Sequence, residues 1–238
     1  MQLGIDTSGA VSIAVAEDPT GPGAAPRILA VESDDRARHH DEVLLGLIDR
    51  CVREAGATRA DLARIVVGRG PGPFTGLRVG LVVARTLGAV LGAEVEGLCS
   101  LDALAHEAAQ AEPHARTIAV ALDARRREVY WALYRVERAA DGSVQALVRE
   151  SGPAVDAPAD VAPQLMAADA RVGSGCALYA DSIPATADAI HVDAGHLLTA
   201  AALVRAAEGP STPASTEPLY LREPDAAKPT ARKSALGL

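Results

Sequence analysis

Gly68-Arg69-Gly70-Pro71-Gly72-Pro73-Phe74-Thr75-Gly76-Leu77-Arg78-Val79-Gly80 is the stretch on which the reading of this chain turns. It follows the β-branched run Ile65-Val66-Val67 and leads into an apolar segment that continues to Leu91. The pattern is a strand, a tight Gly/Pro loop and a helix. Thr75 stands where an N-cap hydroxyl would satisfy a free helix N–H, and a helix N-terminus of this kind can hold an anion. Against that, Pro71 and Pro73 each remove a backbone donor. The run also has neither the Gly-Lys-Ser/Thr of a P-loop nor G-x-G-x-x-G spacing. The loop therefore reads first as a shaped turn and only second as a phosphate cradle.

Beyond the loop, Gly76, Gly80, Ala84, Gly88 and Gly92 recur at every fourth position and form one small-residue ridge along the helix. Each interior Gly costs about 1 kcal/mol relative to Ala, so a close neighbour must offset it. That neighbour is either the chain's own sheet or a helix of another protein. A helix apolar nearly all round buries two faces, so both readings can hold together. The ridge is expected to pack inward, leaving Leu77, Arg78, Leu81 and Arg85 for a partner. Arg78, Arg85 and Thr86 interrupt the apolar run, and a membrane span is not expected.

The chain has 238 residues, enough for one large or two small domains. Hydrophobic residues make up 49%, which marks a globular protein, whereas aromatics at 3% leave almost no stacking platforms for bases. The net charge of -8 argues against tight unaided nucleic-acid binding. Cys51, Cys99 and Cys176 are widely spaced and odd in number, which fits buried thiols in a reducing compartment. Met1-Gln2-Leu3-Gly4-Ile5-Asp6 starts a strand at once, so no signal peptide is read and a cytoplasmic location is expected.

Along the chain, Leu3 to Ser8 and Val11 to Ala16 read as strand, turn and strand, and Arg27 to Ser33 as a third strand. His40 to Glu54 reads as a helix with an apolar stripe of Val43, Leu44, Leu47, Ile48, Cys51 and Val52. The ridge helix runs from Thr75 to Leu91, Glu94 to Leu98 is a strand, and a helix follows from Ser100 to Gln110. Then the opening pattern returns. Ile118 to Ala124 leads through Arg125-Arg126-Arg127 into Val129 to Tyr134, a second hairpin whose first strand ends in Asp. Later segments give less. Residues 151–164 are rich in Pro and Ala, Arg171 to Gly175 is a strand entering a turn, and Ala194 to Glu208 is helical. Pro210 to Pro218 is a linker before a short strand at Leu219-Tyr220-Leu221, and the end of the chain is a polar tail. The expected organisation is a first lobe over 1–112, a smaller second lobe over 113–223 and a mobile tail over 224–238.

Mixed sheets with helices, in two lobes that each open on a hairpin, fit an α/β fold of the actin-like, sugar-kinase-like kind. In that layout Asp6, Thr7 and Asp123 would lie near phosphate and Mg²⁺. Asp and Thr are also common turn formers. The two readings stand level for Asp6, and Asp123 reads first as a turn residue. His106-Glu107-Ala108-Ala109-Gln110 lacks the second histidine of H-E-x-x-H, so no zinc site is expected there. His191 and His196 are five apart and do not share a helix face, and no nucleophile elbow is present.

These motifs resemble one family. The run Gly68 to Gly80 is similar to the signature of the bacterial TsaB (YeaZ) family. So are the opening Leu3-Gly4-Ile5-Asp6-Thr7-Ser8, His40 with Leu44-Leu45, Asp123-Ala124-Arg125 with Glu128-Val129-Tyr130-Trp131-Ala132, and Glu217-Pro218 with Tyr220-Leu221-Arg222. Pro73 stands in place of the family's Ser, and Gly46 in place of its Pro. The resemblance implies an actin-like (ASKHA, RNase H-like) two-lobed fold. It implies a non-catalytic subunit supporting formation of N6-threonylcarbamoyladenosine at position 37 of ANN-decoding tRNAs. The implied partners are a catalytic TsaD-like subunit and a TsaE-like ATPase, with a homodimer when alone, contact with tRNA only indirectly, and no metal; no cofactor is expected, with nucleotide binding between the lobes left open. The His-x-x-x-His pair that TsaD-like proteins carry after the fifth strand has no counterpart in Leu98 to Ala105. The implied pairing surface is the first two helices, with Leu44, Leu47, Ile48, Cys51, Thr75, Leu77, Arg78, Leu81 and Arg85 as its candidate residues. An independent ATP-binding enzyme of the sugar-kinase class, or a metal-dependent peptidase, is the alternative.

Overall fold

Strand alternation explains how the first sheet is built. In β1 (Gln2–Asp6), β2 (Val11–Glu17) and β4 (Arg64–Gly68) almost every residue is buried, which requires cover on both faces. The computed structural model describes residues 1–21, 24–34, 40–186, 193–208 and 215–222. The expectations for His191 and for the tail over 224–238 lie outside these residues, as does most of the expected linker.

The first sheet has five strands in the order β3-β2-β1-β4-β5, with β3 at Arg27–Asp34 and β5 at Glu94–Leu98. Neighbours β1, β2 and β3 are antiparallel, whereas β1, β4 and β5 are parallel. The second sheet comprises β6 (Thr117–Asp123), β7 (Val129–Arg138), β8 (Val144–Asp156) and β9 (Ala170–Val172), in the order β8-β7-β6-β9. It repeats the first four strands of the first sheet, two antiparallel pairs and then a parallel one, and among the described residues lacks a counterpart of β5. The returning hairpin is thus the start of a truncated structural repeat, and β6 is the counterpart of β1.

Two helices cover one face of the first sheet. They are α1 (His40–Glu54) and α2 (Phe74–Leu91). Leu44, Leu47, Ile48 and Cys51 of the α1 stripe pack with Leu3, Ile5, Ile13, Ile65 and Val67, joined by Leu81 and Ala84 of α2. The ridge does face inward: Gly76, Gly80, Ala84 and Gly88 are buried. A Cβ at Gly80 would strike Thr7, and one at Gly88 would strike Val95, so close approach to the sheet explains the glycines. Gly92 is not part of the ridge; it is the left-handed cap that ends α2, with φ 68°.

The helices that close the two lobes are exchanged in sequence. Helix α3 (Ser100–Ala111) follows the first sheet but packs on the second, with Leu101, Leu104 and Ala105 against Ile118, Val120 and Tyr134. Helix α6 (Ala194–Glu208) follows the second sheet but returns to the first. There its Ala194, Leu197 and Leu198 cover Ala14, Ala16 and Val66. A division at residue 112 therefore does not separate the two packing units. The remaining helices, α4 (Pro158–Leu165) and α5 (Ser174–Leu178), flank the second sheet.

Other expectations also need correction. Thr75 is not the N-cap: α2 begins at Phe74, one residue earlier than expected, and Pro73, whose fixed φ suits a helix entrance, takes the N-cap position. Leu219-Tyr220-Leu221 forms no strand; it is a strap held mainly by side chains. At 18 residues and a mean hydropathy of 1.5, α2 is long and apolar enough to cross a membrane. Here it lies on the sheet, with Arg78 and Arg85 exposed.

Candidate functional site

Asp6, for which a phosphate and Mg²⁺ role stood level with a turn-forming one, ends β1 and is sealed. It is 1% exposed. The Ser8 backbone N–H and hydroxyl donate to Oδ1 at 2.8 and 2.6 Å, and the Ser100 hydroxyl donates to Oδ2 at 2.8 Å. Burial raises the Asp6 pKa against the opposing pull of the Ser8 and Ser100 hydrogen bonds. A Cβ at Gly68 would strike the Asp6 carboxylate, and one at Gly72 would strike the Ser8 backbone. The Gly/Pro loop is therefore shaped to close over this knot. Asp6 ties the end of β1 to the start of α3. Thr7 is fully buried against Gly80, and its Oγ1 has no hydrogen-bond partner.

Asp123 holds the equivalent place in the second sheet. Its Oδ1 accepts the Arg125 N–H at 2.8 Å, an Asx-type turn. Its own N–H donates to Ser174 Oγ at 3.2 Å. The turn continues through Arg125, Arg126 and Arg127, all left-handed, with φ of 61°, 56° and 63°. Both expected acidic residues are thus engaged in shaping turns. Among the described residues no three or more His, Cys, Asp or Glu come together as a metal site.

The proposed pairing residues divide by exposure. Leu44, Leu47, Ile48, Cys51, Leu77 and Leu81 belong to the core, so they are not surface residues. An apolar stripe at helical spacing marks the face buried within the chain. Thr75, Arg78 and Arg85 are exposed. The apolar side chains on the outer face are ones the stripe passes over: Leu45 on α1, and Val82 and Val90 on α2, which are 52%, 60% and 76% exposed. Helices α1 and α2 touch. The signal for these residues was present in α2, whose apolar positions run nearly all round.

A strap over residues 215–222 lies across the polar side of α2. Arg85 donates to Thr216 Oγ1 at 3.0 Å and to its carbonyl at 2.7 Å. Arg78 donates to the Tyr220 hydroxyl at 2.9 Å and lies 3.8 Å over the Phe74 ring, which itself stacks on Tyr220 at 4.6 Å. The Leu219 N–H donates to the Arg69 carbonyl at 2.8 Å. Arg222 then reaches the second hairpin, donating to the Ala124 carbonyl at 3.0 Å and pairing with Glu128. The strap thus fastens the Gly/Pro loop and α2 to the turn after Asp123. Sequence reasoning placed Arg78 and Arg85 outward but did not assign them these intramolecular partners.

The family model for TsaD, tRNA N6-adenosine threonylcarbamoyltransferase, matches residues 21–205. An uncharacterized protein of Mycobacterium tuberculosis is 43% identical over 198 residues, 82% of this chain and 80% of its own. The tRNA threonylcarbamoyladenosine biosynthesis protein TsaB of Escherichia coli is 37% identical over 100 residues, 41% of this chain and 42% of its own. The crystal structure of YeaZ from Pseudomonas aeruginosa superposes with a TM-score of 0.70 at 29% identity, covering 92% of this chain and 99% of that one. With its five-stranded sheet, truncated repeat and sealed Asp6, the chain belongs to the TsaD family of actin-like folds, as a TsaB/YeaZ-type member.

Proposed function

We propose that this chain is a non-catalytic subunit of the machinery that transfers a threonylcarbamoyl group to N6 of adenosine 37 in ANN-decoding tRNAs. It acts by pairing with a TsaD-like catalytic subunit, and a TsaE-like ATPase works on the pair. The names of its relatives support the pathway. The observation that carries the division of labour is Asp6, whose carboxylate is 1% exposed and bonded by Ser8 and Ser100 beneath the closed loop, out of reach of a metal–nucleotide complex in solvent. The outer face of α1 and α2 supports pairing. Leu45 on α1 and Val82 and Val90 on α2 are exposed to solvent on two touching helices anchored from beneath. In the absence of a partner the same face would join two copies of the chain, in the cytoplasm where tRNA is modified.

Co-purification tests this reading. Leu45→Asp combined with Val82→Asp should leave the melting temperature unchanged within a few degrees while abolishing capture of the catalytic subunit. Undiminished capture by a folded double variant would refute pairing through this face. ATP turnover by the isolated chain would favour the kinase-like alternative.

A further inference from the structure

A cavity of about 380 Å³ lies between α3, α6 and strands β5 and β8. It is separate from the outer face of α1 and α2. Leu98, Leu147, Leu203 and Val204 supply apolar wall, whereas Arg69, Asp102, His106, Tyr134 and Arg149 supply its polar groups. A space of this size and lining is typical of a small-molecule site.

Its charge is unbalanced. Arg149 Nη2 bonds both oxygens of Asp102, and the Tyr134 hydroxyl donates to Asp102 Oδ1 at 2.6 Å. That pair is neutral. Arg149 keeps Nε and Nη1 in reserve, and only Nη2 appears in its hydrogen bonds. Arg69 spends one N–H on the Ser215 carbonyl, at 3.1 Å, and the one carboxylate lining the cavity, Asp102, is paired with Arg149. Two guanidiniums and one carboxylate leave one positive charge in excess, in a chain whose net charge is -8.

The second observation is His106. It is 93% buried, it lines the cavity, and its Nδ1 has no hydrogen-bond partner in the protein. That atom is sealed from the cavity as well as from solvent, so its cost is borne by the fold and the His106 ring contributes wall to the cavity. Burial, with the neighbouring His196, pushes the His106 pKa down to about 4, so the ring is neutral at pH 7 and can accept or donate one hydrogen bond.

We propose that this cavity binds a small monocarboxylate with an apolar body. The carboxylate meets the free donors of Arg149 and Arg69, and the apolar body lies against Leu98, Leu147 and Leu203.

Hexanoate is the probe, with hexan-1-ol and hexylamine as uncharged and cationic controls, followed by methyl NMR on the full chain. Hexanoate should shift the methyls of Leu98, Leu147 and Leu203 saturably, and both controls should bind at least about tenfold more weakly, the size of one charge-assisted hydrogen bond. Asp102→Asn keeps an acceptor for Tyr134 but releases Arg149, so it should tighten hexanoate binding about tenfold. Ala146→Leu, on the half-exposed rim of the cavity, should weaken it by a similar factor. The proposal is overturned if hexanoate shifts no cavity methyl, if hexan-1-ol binds equally well, or if a folded Asp102→Asn variant binds hexanoate no better than the wild type. The result is independent of pairing with a catalytic subunit.

Discussion

Gly80→Ala sets helix propensity against packing. In the interior of a helix, alanine is favoured over glycine by about 1 kcal/mol. At this position the new Cβ would fall inside contact with Thr7 Oγ1, with Thr7 Cγ2 at 3.2 Å and Thr7 Cβ at 3.3 Å. Thr7 is fully buried, so its side chain has no open space to swing into. Overpacking of this kind costs about 1–3 kcal/mol. The net change is therefore a loss of about 0–2 kcal/mol. In a chain of this length each kcal/mol moves the melting temperature by about 2–4 °C. Thr7→Ala alone should be neutral to stabilising, by about 0–2 kcal/mol. It removes a methyl worth about 0.8 kcal/mol, but also an unpartnered hydroxyl whose burial costs about 1–3 kcal/mol. With Thr7 shortened, Gly80→Ala should recover its helix-propensity gain and become stabilising. Urea denaturation of the wild type, both single variants and the double variant measures the coupling, expected at about 1–3 kcal/mol. Additivity within about 0.5 kcal/mol would refute the claim that Thr7 is the reason for glycine at position 80.

Gly68→Ala should cost more than Gly80→Ala, because its Cβ would strike the Asp6 carboxylate between two fixed serine hydroxyls; comparison of their denaturation midpoints checks the order. The Asp6 carboxyl binds its proton more tightly folded than unfolded, so its ionisation opposes folding increasingly as pH rises from 3.8 through the folded-state pKa. Asp6→Asn should accordingly gain stability relative to wild type between pH 4 and pH 7, and a difference that stays flat with pH would contradict the burial argument. Tyr220→Ala should free the strap at a cost of about 0.5–1.5 kcal/mol, the value of one aromatic pair. Amide exchange at Leu219 should then accelerate while the core amides of β1 stay protected.

The fold was legible where periodicity was strong. The first three strands, the α1 stripe and the α2 ridge all lie within a residue or two of their expected limits, because burial on defined faces forces those spacings. Strand β8 was not read: its residues are half-exposed, it contains Gly152 and Pro153, and bulges break its pairing with β7. Nothing local in α3 or α6 announces that each packs on the other lobe's sheet, since Leu101 and Leu197 look alike as apolar helix positions and only topology assigns them. The candidate site was half legible. The Gly/Pro loop, Asp6 and the outward Arg78 and Arg85 were identified, but the stripe was assigned to a partner when the chain's own sheet claims it. Leu45, Val82 and Val90 went unnamed because they lie off the stripe and the ridge. The strap's hold on Arg78 and Arg85 joins residues more than 130 positions apart, a distance no local pattern bridges.

The central claim is that this chain supports threonylcarbamoyl transfer through the outer face of α1 and α2, not through chemistry at its acidic turns. The most direct measurement is the rate of threonylcarbamoyl transfer to an ANN-decoding tRNA by the TsaD-like and TsaE-like proteins. It is read with wild-type chain, with the Leu45→Asp and Val82→Asp double variant, and with Asp123→Ala, each confirmed to be folded. The expected result is full support from Asp123→Ala and none from the double variant. Loss of transfer with Asp123→Ala, alongside undiminished transfer with the double variant, would contradict it.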